Sequence, residues 1–399
     1  MSPAVTFELL DDPARWESAE ARWRAFVDDP GTRVGFWCDP HVMRSEACGE
    51  APRRVLVAEV RRDGRLVALV PFKLGRDRVP LRLGLARLGS LRAKRAMLYE
   101  ASFAVAEGED RSRVLQVVLT ELPRSHHCGC DLAVVPEWDL PADGGTPFSG
   151  ALPRPAQMAY RILMPPSADA YLSGMKRTTR HKLQGEARKL ERAMEGRLAL
   201  RSYRRPDQVE EFRTHAQRIW ERSWHAKADT NSLPGVRFLQ DMAERGWLRA
   251  YVMFGLDTPL AFALGYQYRK VFTYQNTGYD PEYQRYSPGK VLNFLFVQQL
   301  YDEDPPAIVD FGFGENQYKL VLCNDTRAQA GFWVPMTARG HCITAATRAL
   351  DAAHRGGKAL LDRTGLVRLL KRRIRTTDGA AAEKAGEPPA PSSSTPEGA

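Results

Sequence analysis

The run Gln284-Arg285-Tyr286-Ser287-Pro288-Gly289-Lys290 leads straight into an apolar helical segment, residues 290–301. A turn of small residues ahead of a helix leaves backbone N–H groups free, and the helix start adds the positive end of its dipole. Such a turn can hold a pyrophosphate, with Arg285 and Lys290 adding positive charge. The same residues also make an ordinary Ser-Pro-Gly helix start, and spacing alone leaves both readings open. Asp310 and Glu315 flank the end of a buried strand and are candidate bases or amine binders, although carboxylates at strand ends are commonly just solvated. Lys319 can meet an anionic group of donor or acceptor, or be solvated. Trp220 and Trp224, spaced i and i+4, can stack on a sugar or line a cleft, but an aromatic stripe is more often core. His225, next to them, is a further candidate base.

The elements that would position these residues fall into two similar series. In the first, a helix over 12–27 precedes strands at 54–62 and 65–74, joined by an Asp63-Gly64 turn that tolerates positive φ at both positions. A third strand is expected near 79–88, then a helix over 111–122 and a buried strand at 131–135. A Pro- and Gly-rich connector spans 139–158. After a short strand near 159–164 come a long polar helix over 169–195 and helices at 207–225 and 236–245. A second meander follows: strands 248–256, 259–268 and 271–279, with turns expected at Asp257-Thr258 and Arg269-Lys270. The helix 290–301, a strand at 307–313, a short helix near 315–321 and a strand near 330–334 close the unit. The pair 54–74 corresponds to 248–268 as a weak internal repeat. Loops this short force antiparallel neighbours, and the strand after each crossover helix is expected to be parallel to its neighbour. The class is α+β, a mixed and mostly antiparallel sheet in each half. The expected divisions are 1–158, carrying no chemistry, 159–342 with the site, a helical basic extension over 343–375 broken at Gly356-Gly357, and a disordered tail over 376–399.

The totals fit this picture. A length of 399 residues suits two ordinary domains, and 43% hydrophobic residues suffice for burial. There is no run of about 18 apolar residues and no apolar leader at the N-terminus, so the cytoplasm is the expected compartment. The net charge of +10 gathers in 174–205 and 363–375 and suits an anionic partner. Residues 176–192 can be a solvated helix face or an anion site. Residues 360–375 can dock on the body or lie on an anionic membrane surface, a peripheral contact with the inner membrane. Cys128-Gly-Cys130 lacks the spacing of a zinc knuckle and no second pair follows, so no metal is expected, although His126 and His127 stand beside it.

Strand–strand–strand, then Gln284-x-x-Ser287-x-Gly289-Lys290, then helix and strand, resembles the acetyl-CoA-binding core of the GNAT superfamily. There the loop pattern is Gln/Arg-x-x-Gly-x-Gly/Ala, and Ser287 stands where the first Gly would be. The basic helix YLSGMKRTTRHKLQGEARKLER, the SPGKVL loop and DFGFGENQYK are similar to the CelD-like branch, associated with bacterial polysaccharide operons. Many members carry Arg or Lys after Tyr-Lys, whereas here Tyr318-Lys319 continues Leu-Val-Leu. The resemblance implies tandem GNAT-like domains and an acyl-CoA donor held by Gln284, Arg285, Ser287, Gly289 and Lys290. It also implies that a backbone N–H within Tyr274-Gln275-Asn276 meets the thioester carbonyl, and that Tyr318 protonates the leaving thiolate. Asp310 and Glu315 then stand as bases, and Tyr274, Lys319, Trp220 and Trp224 face the acceptor, a sugar, amino sugar or small metabolite. A distant similarity to Fem-type ligases offers a charged-tRNA donor as an alternative, the one setting in which nucleic acid would be a partner. A non-catalytic binding or assembly protein of the same fold is the third reading. A monomer or a homodimer fits all three.

Overall fold

The computed structural model describes residues 3–49, 53–84, 86–141, 145–223 and 233–363, with 357–363 described by backbone alone. The strands are β1 Ala4–Leu10, β2 Thr32–Arg33, β3 Arg54–Arg62, β4 Arg65–Leu83, β5 Ala86–Leu98, β6 Ala104–Ala106, β7 Leu132–Asp139, β8 Leu152–Pro153, β9 Gln157–Leu163, β10 Leu198–Tyr203, β11 Leu248–Gly255, β12 Thr258–Tyr268, β13 Val271–Tyr279, β14 Ile308–Phe313 and β15 Asp325–Pro335. The α-helices among the described residues are α1 Pro13–Asp28, α2 Pro40–Ala47, α3 Arg111–Glu121, α4 Ala168–Gly174, α5 Arg177–Ala193, α6 Val209–Arg222, α7 Val236–Glu244, α8 Pro288–Glu303, α9 Gln317–Leu322 and α10 Ala338–Arg363.

The strands form one mixed sheet in the order β1-β3-β4-β5-β7-β15-β9-β14-β13-β12-β11-β10. Its pairs are mostly antiparallel, as short turns require. Among the described residues the parallel pairs are the two expected ones: β7 lies parallel to β5 after α3, and β14 lies parallel to β13 after α8. The late strand β15 runs antiparallel between β7 and β9, so the sheet is continuous across the two series. By compactness the chain divides into a large unit, Met1–Asp77 with Ala93–His341, and a second unit, Arg78–Arg92 with the chain from Cys342.

Burial explains why these segments become strands and helices. All of β11 and nearly all of β12 are buried, which is why they read as near-continuous apolar runs instead of alternating ones. Alternate residues of β11 enter different cores: Tyr251 and Met253 join Leu183, Leu190, Val291 and Phe296 from α5 and α8. Ala250, Val252 and Phe254 join Phe212, Ile219 and Leu239 from α6 and α7. A third core, built on β3, β4, α1 and α3, takes in Phe332 and Val334 of β15.

Several elements differ from expectation. The long helix over 169–195 is two helices, because Met175 and Lys176 adopt extended backbone between them. The strand expected near 79–88 is not separate; β4 continues through Leu83 and turns at Gly84, where φ is +61°. The β11–β12 turn is Leu256-Asp257, both at positive φ, with Gly255 opposite Thr258. The edge strands β1 and β10 were not foreseen, and α10 runs through Gly356 and Gly357 without a break. Most of the basic segment 360–375 and the whole tail 376–399 lie outside the described residues.

Candidate active site

The parallel strands β13 and β14 pair only from Val271–Ile308 to Thr273–Asp310. Beyond that rung they part, and β14 continues alongside β9. Residues 274–279 of β13 therefore pair with β12 on one side and, among the described residues, with no strand on the other. Within this open stretch the register slips: Leu264 faces Asn276 and Gly265 faces Tyr274, which leaves Gln275 as the extra, exposed residue of a β-bulge. A bulge bends a strand and re-aims its neighbours. Gly265 is required opposite it, since a Cβ there would stand 2.5 Å from the Thr273 carbonyl oxygen. An extended chain laid along 274–279 would find main-chain donors and acceptors waiting.

The start of α8 follows the same strand. Asp280 caps the short 3-10 helix 281–286 by accepting from the Glu282 N–H at 3.1 Å, and Arg222 ties that helix down through Asp280 at 2.6 Å and Glu282 at 2.9 Å. Ser287 then takes the left-handed conformation, φ 54° and ψ 47°, and Pro288 opens α8. The expectation of several free amides narrows here. The Ser287 N–H bonds to the Gln284 carbonyl, those of Lys290 and Val291 both turn to the Ser287 carbonyl, and Pro288 has none. Among the described residues the Gly289 N–H shows no backbone partner at this turn. Lys290 is also committed, with its ammonium 3.0 Å from Glu186 Oε1 of α5. Positive charge remains nearby: Arg285 and Lys189 both lie over the Tyr286 ring, at 4.8 and 5.6 Å, and Gln284 and Arg285 are exposed.

The remaining candidates separate into two groups. Tyr274 and Tyr318 come together, ring centroids 6.4 Å apart, around Phe311. The Tyr274 hydroxyl donates to the buried Asn293 of α8 at 2.8 Å. Burial pushes both phenols above their usual range, so both stay protonated. Lys319, next in sequence, is buried, with its ammonium on the carbonyls of Phe313 at 2.9 Å and Gly312 at 3.4 Å, so the solvated alternative does not apply to it. Burial lowers its pKa. Asp310 is half-buried rather than freely solvated and accepts the Gly312 N–H at 2.8 Å; desolvation raises its pKa. Glu315 is exposed. Trp220 does not join the group: it packs in the α6–α7 core, across the sheet from α8, 6.4 Å from Phe262. Trp224 and His225 lie outside the described residues. Cys128 and Cys130 are buried in the first core.

Sequence reasoning missed the groups around Asp310. Glu100 and Glu137, from the first half of the chain, both have pKa values pushed up to about 7, chiefly by burial. Glu137 and Asp310 add their repulsion to Glu100, and Asp310 adds its own to Glu137. The charge of Arg111 of α3 works the other way and lowers the Glu100 pKa. No local motif marks these residues, since more than half the chain separates Glu100 from Asp310.

Residues 177–320 match the family described as Acetyltransferase (GNAT) domain. The match spans α5 to α9, the stretch that holds the parted strands, the bulge and the α8 start. This segment is a GNAT-type acyltransferase domain. No curated protein sequence matches the chain. Among solved structures, FemX superposes with a TM-score of 0.52 at 12% identity, over 82% of this chain and 97% of that one. L-PGS from Bacillus licheniformis gives 0.49 at 11% identity, over 86% and 97%. A tandem GNAT protein from the clavulanic acid biosynthesis pathway gives 0.44 at 14% identity, over 84% and 99%. At such identity the FemX likeness is one of fold alone, and the other two superpose too loosely to add to it. The GNAT domain makes the chain an acyltransferase; its donor and acceptor have to be argued from the site.

Proposed function

We propose that the chain transfers an acyl group from acyl-CoA to a sugar, amino sugar or small metabolite. The observation that carries this reading is the open, bulged edge of β13 beside the start of α8. In this arrangement the diphosphate of the donor lies at the Gly289 N–H and the positive end of α8, with Arg285 and Lys189 nearby. The pantetheine arm lies along 274–279 as a further strand, and its thioester reaches the bulge at Gln275. There a β13 N–H polarises the carbonyl. The acceptor heteroatom loses its proton to a carboxylate and bonds to the carbonyl carbon. The C–S bond breaks, and the thiolate takes a proton from Tyr318, whose raised pKa keeps the phenol a donor at neutral pH. The products are the acylated acceptor and the free thiol.

Calorimetric titration with CoA tests the donor. Saturable binding is expected in the unaltered chain and at least a tenfold loss in Gly289→Asp. An acid near a helix start favours the helix, so folding should persist while the phosphate is repelled. Absence of CoA binding, or equal binding by the variant, would overturn the reading. Salt-sensitive binding of aminoacyl-tRNA, lost on neutralising Arg177, Arg180 and Lys182, would replace the donor.

A further inference from the structure

The solvent face of α5 is strongly basic. The helix holds six Lys and Arg residues against two acids. Leu183 and Leu190 are buried in the core shared with α8, so the opposite side of the helix meets water. Arg177, His181, Arg188 and Arg192 fall on that side, at a spacing that draws one straight stripe, and all four are exposed. The stripe is about 22 Å long at the rise of an α-helix. Lys182 and Lys189, also exposed, flank it. Of the two acids, Glu186 is bound to Lys290 at 3.0 Å, and Glu191 stands at the border of the stripe. Arg177 Nε donates to the His181 ring at 3.3 Å, Arg188 Nε to the Gln184 carbonyl at 3.3 Å and Arg192 Nε to the Arg188 carbonyl at 3.4 Å. Among the described residues none of these three guanidinium groups joins an ion pair. Gly185 lies in the middle of the face. A Cβ there would meet nothing within 4 Å, so packing does not require a glycine, which lowers helix stability relative to alanine. What its missing side chain leaves is an open groove of about 580 Å³, lined by Gly185, Arg188, Glu191, Arg192 and Gly196.

We propose that this face docks the protein on a membrane surface of anionic phospholipids, with one phosphodiester headgroup seated in the groove at Gly185 between Arg188 and Arg192. The inference does not depend on the acyl-CoA reading. Like charges four residues apart on a helix repel, and an anion between Arg188 and Arg192 removes that repulsion. Their forked donors match the oxygens of a phosphodiester. Both side chains are already pinned along the helix through Nε, so little freedom is lost when the headgroup binds. Glu191 offsets part of the charge at the rim and leaves two cations to one acid. The negative potential of an anionic leaflet draws clustered Lys and Arg, and a flat surface meets a straight stripe along its whole length. No large apolar side chain of α5 is exposed, so the contact is with headgroups and not with acyl chains. The helix has no Phe, Tyr or Trp and so offers no stacking platform to a nucleic acid strand. A lipid headgroup, unlike a duplex phosphate, can also rise out of its row into a groove.

Co-sedimentation of the whole chain with vesicles tests the inference, using phosphatidylcholine alone and phosphatidylcholine with phosphatidylglycerol in equal parts. Binding is expected to the anionic vesicles only, and should weaken as salt is raised. The triple variant Arg177→Gln, Arg188→Gln, Arg192→Gln should bind at least tenfold more weakly, and it should fold, since it relieves like-charge repulsion on the helix. A second triple variant, Arg65→Gln, Arg76→Gln, Arg113→Gln, removes the same charge from exposed positions elsewhere and should bind as the unaltered chain does. Gly185→Leu fills the groove, keeps every charge and raises helix propensity, and should weaken binding as well. Equal binding to both kinds of vesicle, equal losses in the two triple variants, or unaltered binding by the first triple variant or by Gly185→Leu would overturn the inference. Tighter binding of a short RNA duplex than of the anionic vesicles would overturn it in favour of a nucleic acid.

Discussion

Tyr318 is held by its ring and left free at its hydroxyl. The ring packs edge-on to Phe311 and near Tyr274, and no partner for the phenol oxygen is found among the described residues. Tyr318→Phe therefore keeps the packing and deletes only the proton. If that proton goes to the thiolate, kcat should fall by roughly 10²-fold, the scale of one positioned general acid, with the KM for acyl-CoA unchanged. The sign of the pH dependence follows from burial. Burial disfavours the phenolate, so the folded pKa lies above the usual 10 and the acid form persists through that pH. The kcat profile should accordingly show no alkaline fall near 10 that Tyr318→Phe abolishes. A variant with unaltered kcat would make Tyr318 a packing residue. Lys319, by contrast, is a bracket: its ammonium holds the Gly312–Phe313 carbonyls where β14 turns away from β13.

At the scale of elements, the α8 start works through backbone shape, and Ser287 pays for that shape. A left-handed residue with a Cβ costs about 1–2 kcal/mol, and Ser287 makes no capping bond that would offset it. Glycine avoids the clash but loses about 0.5–1 kcal/mol of unfolded-state freedom. Ser287→Gly should thus stabilise the fold by about 0.5–1 kcal/mol in urea denaturation and leave CoA affinity intact, because the Gly289 N–H does not move. A loss of stability would mean that the serine hydroxyl does something the geometry does not reveal. This loop was legible in the sequence because its signal is local: small residues, proline at the first helical position, then an apolar helix. The hairpins at Asp63-Gly64 and Arg269-Lys270 were legible for the same reason. The third turn slipped by one residue, since Leu256 at positive φ runs against its own preference while Asp257-Thr258 looks like a turn. The strands β1 and β10 escaped notice because each is an edge strand with one partner and a weak burial pattern. The bulge at Gln275 and the parting of β13 from β14 have no local signature, because both are set by which strand pairs with which.

The whole molecule is organised by the least local strand. β15 comes late in the chain yet lies between β7 and β9, and its Phe332 and Val334 fill the core of the first half. Other ties cross the same sequence distance. His41 of α2 meets Asp241 of α7 at 2.8 Å, the Tyr268 hydroxyl donates to buried Asp39 at 2.9 Å, and Arg269 donates to the Thr32 carbonyl at 2.6 Å. Glu100 and Asp310 come within reach of each other's charge only where the two halves meet. Two halves joined by independent cores would unfold in two steps, whereas a shared sheet and shared buried polar contacts couple them. We therefore expect residues 1–77 and 93–341 to unfold together. Tryptophan reports on both halves, through Trp16, Trp23 and Trp138 in the first and Trp220 and Trp247 in the second. Chains keeping tryptophan in only one half should show the same urea midpoint as each other and as far-UV circular dichroism. A fragment spanning 159–342 would expose the edge of β15 that pairs with β7 and the apolar side chains it lends to the first core, and should aggregate or melt well below the whole chain. Two separated transitions, or a 159–342 fragment that is monomeric and binds CoA like the whole, would show that the second half is a free-standing domain and that the first only lends it a wall.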